Sequence, residues 1–325
     1  MALHRSAHDR RVWRLVSRSP VRSLWNLHGV PVRAIAARTW RAILDDRIFG
    51  HAAELGFYFL FALFPALFCA GSILGLAARS AHQIYDRLLD YLSLVIPTSA
   101  LSAVLSTFNQ TAAASSSGKI TFGFIVALWS ASAGISAIQD TLNDVYKIED
   151  SRSYLAARIY AIALTLLLSA IVTLGLAAIF GGDRLGRLAY RDFSSPFFAD
   201  AAGLAAGIAG RVIALAFLVL SFAVIYYWAP DWKRRRWHWL TPGGTLGILG
   251  WLISSLGLRA YLYYFNSYSV IYGSLGAVII LLTWFYTSGL MLLVGAEINS
   301  EIEASVAEKR LAAHKPRDAA MEAAE

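Results

Sequence analysis

Long apolar stretches alternate with polar segments along the sequence. A helix that crosses a bilayer needs about 20 apolar residues, and six stretches reach that length. They are Leu55–Ala78, Ile120–Leu142, Leu155–Phe180, a segment within Ala199–Trp228, Leu240–Phe265 and Val270–Ala296. Their composition is typical of helices, and no series of alternating ten-residue strands indicates a β-barrel. The pattern predicts an all-α fold, a polytopic membrane protein with six transmembrane helices.

Two polar segments carry shorter helical patterns. In Val32–Arg47, apolar residues alternate with arginines at helical spacing, which predicts an amphipathic helix near the N-terminus. Such a helix suits an anionic lipid surface and equally suits docking on the bundle, and the sequence leaves both open. Residues 79–119 form the first outer loop, where a helical pattern interrupted at Pro97 predicts two short helices at the outer surface.

The composition agrees with a membrane protein and divides the chain into three regions. Hydrophobic residues make up 57% of the 325 residues and charged residues 15%, whereas soluble domains are about 25% charged. We expect a cytosolic basic extension with the amphipathic helix at 1–44, a six-span membrane domain at 45–303 and a cytosolic charged tail at 304–325.

Lys and Arg residues concentrate in alternate polar segments. The segments 1–54, 143–154, 229–239 and the residues after 297 hold 20 of them, and the intervening segments hold 6. The positive-inside rule therefore predicts that both termini lie in the cytoplasm. The net charge of +8 then reflects topology, so we expect no nucleic-acid partner. The expected partners are membrane lipids, through contact of the basic N-terminal region with the anionic inner leaflet, and either an envelope protein or a second copy of the chain.

Polar candidates for function concentrate at the inner ends of the spans. They are Glu54, Gln139, Asp140, Asn143, Tyr146, Arg152 and Glu297. Helical spacing places Gln139, Asn143 and Tyr146 on one face, and Asp140 shares another face with Asp144. One interpretation is a polar vestibule that binds a headgroup. The other is a network of helix caps and ion pairs, which helix ends require in any case.

Further candidates lie within the first span and near the outer surface. Pro65 removes one backbone hydrogen bond from the first span and is expected to kink or break it. Arg211 and Arg259 fall near the outer edge when measured along their helices from the inner side. Residues 264–276, YFNSYSVIYGSLG, predict a tight outer hairpin that could also border a lipid path. Its candidate residues are Tyr268, Tyr272 and Gly273.

The sequence carries no recognisable catalytic motif. Its seven histidines are scattered singly, it has one cysteine, and no spacing matches a zinc site, a P-loop or a nucleophile elbow. We therefore expect no catalytic residue, no cofactor, no metal site and no enzymatic activity.

Several stretches resemble the YihY/BrkB family of bacterial inner-membrane proteins. They include AAELGFYFLFALFPAL at 52–67, ALWSASAGISAIQDTLNDVYKIEDSR at 127–152, YYWAPD at 226–231 and PGGTLGILGWL at 242–252. The resemblance also covers 264–299 and extends over about 45–303. It implies a six-span bundle with cytosolic termini.

The family resemblance also bears on function. Family proteins have carried the name ribonuclease BN through what looks like a misassignment, and this sequence lacks the clustered ligands that a metal-dependent nuclease needs. Some members are called virulence factors, and a role in moving envelope lipids has been suggested. Our leading hypothesis is a non-enzymatic transporter or flippase of lipid or another envelope amphiphile. The alternatives are a structural or partner-binding envelope protein and, less favoured, a membrane-associated tRNA-processing ribonuclease.

Overall fold

A computed structural model describes residues 12–13, 16, 24–27, 29–76, 117–192, 196–232, 237–264 and 274–322. Its seven helices are α1 (Val32–Asp45), α2 (Ile48–Leu76), α3 (Ser117–Val145), α4 (Tyr154–Asp192), α5 (Pro196–Trp228), α6 (Pro242–Tyr264) and α7 (Ser274–Glu322). Within those ranges the regular structure is entirely helical.

Each of the six predicted spans falls on one of the helices α2 to α7. In the described residues, α3 to α7 are long and apolar enough to cross a membrane, and α2 contributes the shorter apolar stretch Ile48–Leu63. The predicted all-α polytopic membrane fold is confirmed. The short helices expected in the first outer loop lie outside the described residues.

The helix ends follow local sequence signals. Pro242 opens α6 at a position where its missing N–H has no intrahelical partner. Thr241 precedes it, and its Oγ1 accepts a hydrogen bond from the Gly244 N–H at 2.9 Å, which is the geometry of an N-cap. At the end of α3, Lys147 adopts a left-handed φ of 54°. There Ile148 N–H donates to the Asn143 carbonyl at 2.8 Å, closing the helix as a Schellman motif.

Close helix contacts depend on glycines in α4 and α5. A Cβ on Gly182 would stand 2.6 Å from the carbonyl oxygen of Ala206, and one on Gly210 would stand 2.6 Å from that of Ala178. Neither contact leaves room for a side chain, so the two backbones meet directly, as small-residue motifs allow in membranes. These contacts hold α4 and α5 together as an antiparallel hairpin.

The helix α7 is the centre of the rest of the bundle, because it contacts α1, α2, α3 and α6. Its Leu293 and Ala296 are fully buried against Ile48, Ala52 and Leu55 of α2. By contrast, α6 exposes apolar side chains along its length, and these are the surfaces that a lipid environment accepts. They are Leu246, Leu249, Leu252, Ile253 and Leu256.

We call one end of the bundle the basal face. It comprises α1, the starts of α2, α4 and α6, the ends of α3 and α5, residues 146–153, 229–232 and 237–241 of the connections, and residues 297–312 of α7. Here α1 docks on α7, with Ile35 buried against Ile302 and Leu24, while contact of α1 with a lipid surface stays a prediction. Arg38 reinforces the contact through hydrogen bonds to Glu301 at 2.8 Å and to both carboxylate oxygens of Glu308 at 2.6 and 2.9 Å.

The structure departs from the sequence prediction at Pro65. Helix α2 runs unbroken from Ile48 to Leu76, so the break considered at Pro65 is wrong: a proline removes one hydrogen bond of a long helix, and the bonds around it remain. Helix α7 runs past the expected end of the span at Ala296 and continues as a helix into the tail expected from residue 304, where Val306 and Ala307 are buried.

Candidate functional site at the basal face

A hydrogen-bonded network joins the connection after α3 to the connection after α5. Asn143 donates from Nδ2 to Asp150 Oδ2 at 3.0 Å and accepts from the Asp231 N–H at 2.8 Å. Asp231 in turn accepts from the Ser151 hydroxyl at 2.6 Å and from its N–H at 2.9 Å. Asn143 is buried at the end of α3, so one amide ties together two connections that are far apart in sequence.

Arg152 completes this network. Its Nη2 donates to Asp150 Oδ2 at 2.6 Å and its Nε to Oδ1 at 2.9 Å, a bidentate pair. Hydrogen bonding to Arg152 lowers the pKa of Asp150 below its ordinary value, and the same contact raises the pKa of Arg152. Asp140 lies among these charges, near Asp150 and Arg152, but its side chain is exposed. These contacts are the ones expected if the polar residues at the inner ends of the spans form a network of helix caps and ion pairs.

A second charged cluster joins three helices at the same face. Lys147 forms an ion pair with Asp46, in the turn between α1 and α2. Glu297 of α7 lies beside both groups and is 1% exposed. Ser300, one turn further along α7, donates to the Val145 carbonyl at 2.9 Å. The start of α2, the end of α3 and the middle of α7 are thus fixed to one another by polar contacts.

A small pocket opens between the end of α5, the start of α6 and α7. We call it the tyrosine pocket, and it encloses about 450 Å³ counting its open mouth. It is lined by Leu24, Tyr146, Ala223, Tyr226, Tyr227, Trp232, His238, Thr241, Asn299 and Glu303.

The walls of the tyrosine pocket are held in place by hydrogen bonds. The Tyr226 hydroxyl donates to the Leu292 carbonyl at 2.8 Å. Asn299 accepts from the Gly243 N–H and donates to Thr241 Oγ1, both at 2.9 Å. The Tyr146 ring packs on Trp232, and burial raises the pKa of the Tyr146 hydroxyl, so this phenol stays neutral at physiological pH.

An apolar groove runs beneath α1. We call it the α1 groove; it encloses about 960 Å³ counting its open mouth. It is lined by Trp25, Leu27, Val32, Ile35, Ala36, Thr39, Trp40, Ile43, Pro242, Leu246, Ile298 and Ile302. Trp25 and Trp40 are largely exposed at its edges, and the Trp25 indole N–H donates to the Leu240 carbonyl at 2.9 Å.

The structure brings some predicted residues together and separates others. Four of the predicted residues lie together at the basal face: Asn143, Tyr146, Arg152 and Glu297. On α3, the side that carries Gln139 and Asn143 is buried, whereas Asp140 is exposed. The other predicted residues lie elsewhere. Glu54 is half exposed with His51 Nδ1 at 3.5 Å, and Arg211 and Arg259 are exposed on α5 and α6 away from this face. Tyr268, Tyr272 and Gly273 lie outside the described residues.

Sequence reasoning missed several members of the site. Asp231 contributes through a long-range contact that no local pattern reveals, although it ends the stretch YYWAPD. Glu303 was assigned to the end of the membrane domain, but the helical spacing of the buried Ile302 and Val306 could have shown that this part of α7 packs against other residues. Among the described residues, no group of three or more His, Cys, Asp or Glu side chains is placed to hold a metal.

Comparison with known proteins finds bacterial relatives of two kinds, a protein with a ribonuclease-like name and several membrane proteins. The chain is 34% identical over 252 residues to the Putative ribonuclease-like protein YfkH of Bacillus subtilis, covering 77% of this chain and 88% of that protein. It is 29% identical to the UPF0761 membrane protein Smlt0865 of Stenotrophomonas maltophilia, covering 82% of this chain and 60% of that protein. A UPF0761 membrane protein of Xanthomonas oryzae gives the same identity and the same coverage.

These relatives differ in length from the present chain, which spans about three fifths of the UPF0761 proteins that it matches. No solved structure matches it. A family model described as Virulence factor BrkB matches residues 39–319, from α1 almost to the end of α7. With a match over most of its length and several apolar helices long enough to cross a bilayer, the chain belongs to the BrkB family of multi-pass membrane proteins.

Proposed function

We propose that the protein binds membrane lipids at its basal face and moves lipid or another envelope amphiphile between the leaflets of the bacterial inner membrane. The observation that carries this proposal is the α1 groove. Its lining is almost wholly apolar, and its volume falls in the range of about 300–1,000 Å³ found for ligand pockets. An apolar groove of this size suits the acyl chains of a lipid.

The position of the α1 groove supports a lipid occupant. It lies between an amphipathic helix and the basal ends of two membrane-crossing helices, with Pro242 and Leu246 from α6 and Ile298 from α7. Trp25 and Trp40 are exposed beside it, and tryptophan is enriched where a membrane meets water. A lipid in the adjoining leaflet can therefore reach the groove laterally.

Charge complementarity favours an anionic headgroup above this groove. Arg33, Ala37 and Arg41 lie one turn apart on the exposed face of α1. Arg38 is already held by Glu301 and Glu308, so it is the other arginines that face the lipid phosphates. Each basic residue near an anionic leaflet contributes about 1 kcal/mol to the attraction. In this arrangement the basal face is cytoplasmic, as the distribution of Lys and Arg predicts.

The exposed apolar surface of α6 supports a route for the lipid tails. From Leu246 at the groove, exposed leucines and isoleucines continue toward Leu256. In the described structure, a Cβ added to Gly257 would meet no atom within 4 Å. Tails that leave the groove along this side of α6 stay in contact with apolar side chains.

The test is a scrambling assay in proteoliposomes with a fluorescent phospholipid and a membrane-impermeant quencher. Ala36→Trp fills the α1 groove, because Ala36 is in its lining. Ala37→Trp is the matched control, since Ala37 is the next residue of the same helix and is exposed outside the groove. We expect the wild type to exceed protein-free vesicles, and Ala36→Trp to slow scrambling about fivefold, equivalent to roughly 1 kcal/mol. Ala37→Trp is expected to retain the wild-type rate.

Two results would count against this function. Equal rates with and without protein refute transport, and equal rates for the two tryptophan variants remove the groove from the path. No feature of the described residues supports the ribonuclease-like label that the Bacillus relative carries. Metal-dependent cleavage of RNA by purified protein, free of soluble nucleases, would favour that alternative.

A further inference from the structure

The tyrosine pocket contains a buried carboxyl group with unused hydrogen-bonding capacity. Glu303 is 6% exposed and lines this pocket. Among the described residues, nothing donates a hydrogen bond to its Oε2. A carboxylate removed from water without a partner costs several kcal/mol, so a site that keeps one is suited to a cation supplied from outside.

Aromatic side chains surround this carboxyl. Tyr146, Tyr226, Tyr227 and Trp232 all line the same pocket, and the rings of Tyr146 and Trp232 lie 4.8 Å apart between centroids. Aromatic faces attract organic cations, and groups of them recognise ammonium ligands. A carboxylate within aromatic walls therefore selects an ammonium group over an anion or a neutral hydroxyl.

Thr241 and Asn299, two other polar residues of the pocket, already have hydrogen-bond partners, so Glu303 is the group available to bind a cation. Thr241 Oγ1 already accepts from Asn299 and from the Gly244 N–H, and the Asn299 side-chain oxygen accepts from Gly243. These bonds fix the floor of the pocket.

The tyrosine pocket and the α1 groove share a wall. At four places along the chain, one residue lines the pocket and its immediate neighbour lines the groove. The pairs are Leu24 with Trp25, Thr241 with Pro242, Asn299 with Ile298, and Glu303 with Ile302. The polar tyrosine pocket and the apolar α1 groove are therefore adjacent at the basal face, and they match the polar headgroup and the apolar tail of an amphiphile.

We propose that the tyrosine pocket binds an ammonium group with the Glu303 carboxylate as its counter-ion. The ammonium is carried either by the headgroup of a zwitterionic phospholipid or by a free amine. This inference deepens the proposed function by assigning a headgroup chemistry, and it rests on that function only for the lipid source of the ligand. The free space inside the pocket is about 40 Å³, which suits an ammonium group on a short stem and excludes a whole lipid.

The test is direct binding to the purified full-length protein in detergent. One arm titrates short-chain phosphatidylethanolamine against short-chain phosphatidylglycerol, and the other titrates ethanolamine and choline. Glu303→Gln keeps the shape and removes the charge. Glu149→Gln is the control, because Glu149 is an exposed carboxyl that does not line the pocket. We expect Glu303→Gln to weaken ammonium binding about 10- to 100-fold, the range for losing a charged hydrogen bond, and Glu149→Gln to leave it unchanged.

Each outcome decides the proposal. Selective binding of phosphatidylethanolamine supports it with a lipid source, and binding of the amines alone supports it with a free amine. Equal affinity for the two lipids together with no amine binding, or full affinity in Glu303→Gln, overturns it.

A second measurement covers a variant that does not fold. Saturating ethanolamine or choline should raise the Tm of the wild type, as any ligand of the folded state does, and sodium chloride at equal ionic strength should not. An equal effect of the three salts refutes the ammonium site. The scrambling comparison of Ala36→Trp with Ala37→Trp uses neither Glu303 nor the pocket, so failure of transport and failure of the ammonium site are separate results.

Discussion

Substitution of Gly243 by alanine tests the contact between α6 and α7 that forms one wall of the tyrosine pocket. A Cβ at this position would stand 2.7 Å from Asn299 Oδ1 and closer still to the carbonyl oxygen of Gly295. The carbonyl is part of the α7 backbone and cannot rotate away as a flexible side chain does. The two helices must therefore separate by most of an ångström or more to restore ordinary contact distances.

Two costs add in this variant. Overpacking of a well-packed interior costs about 1–3 kcal/mol. The separation also stretches the 2.9 Å hydrogen bond from the Gly243 N–H to Asn299, and loss of one such bond costs about 1 kcal/mol. We expect a total loss of about 2–4 kcal/mol. At roughly 2–4 °C per kcal/mol for a chain of a few hundred residues, the Tm falls by about 4–16 °C.

The assay is thermal unfolding in detergent, followed by size-exclusion chromatography with tryptophan fluorescence. Gly257→Ala is the matched control, because it lies in the same helix, is exposed, and would meet no described atom within 4 Å. Alanine is about 1 kcal/mol more favourable than glycine within a helix, so the control should keep or raise the Tm. Equal Tm values for the two variants would refute the close backbone contact of α6 with α7.

Two further predictions concern the charged groups of the basal face. Hydrogen bonding to Arg152 holds the pKa of Asp150 below its ordinary value of 3.8, so the stabilisation is complete above that value and is lost as the pH falls through the lower folded pKa. The Tm difference between wild type and Asp150→Asn should therefore be present at pH 7 and shrink as the pH falls below 3.8, and a difference that does not change with pH would contradict it. Arg38→Gln removes the bidentate contact with the part-exposed Glu308. Because exposed ion pairs contribute about 1 kcal/mol or less, amide hydrogen exchange in α1 should accelerate about fivefold, while exchange in α3 stays unchanged. Unaltered exchange in α1 would show that apolar docking alone holds this helix.

The fold was predictable where one physical constraint dominates a long segment. A bilayer requires long apolar helices, so the six spans could be located from composition, and the helical period put Gln139 and Asn143 on the buried face of α3. Local signals also suffice at the start of α6, where Thr241 and Pro242 mark a helix N-terminus.

The site was less predictable because its contacts are long-range or ambiguous. Asn143 meets Asp231 across 88 positions of sequence, and only tertiary packing decides that pairing. The amphipathic pattern of α1 serves a lipid surface and a protein surface equally well, so its docking beside Ile302 needed the structure. Around Glu303, the sequence did not reveal that one side of α7 is buried, because its charged composition is also typical of a solvated tail.

The uninterrupted course of α7 has a mechanical consequence. Its 49 residues form a rod about 74 Å long, and Glu301 and Glu308, which hold Arg38 of α1, lie shortly after its middle. If the rod tilts by about 10° around its start at Ser274, Glu308, which is about 51 Å further along, moves by roughly 9 Å. Because Arg38 ties α1 to this part of α7, α1 would move with it relative to α6, and the α1 groove, which α6 also lines, would change width.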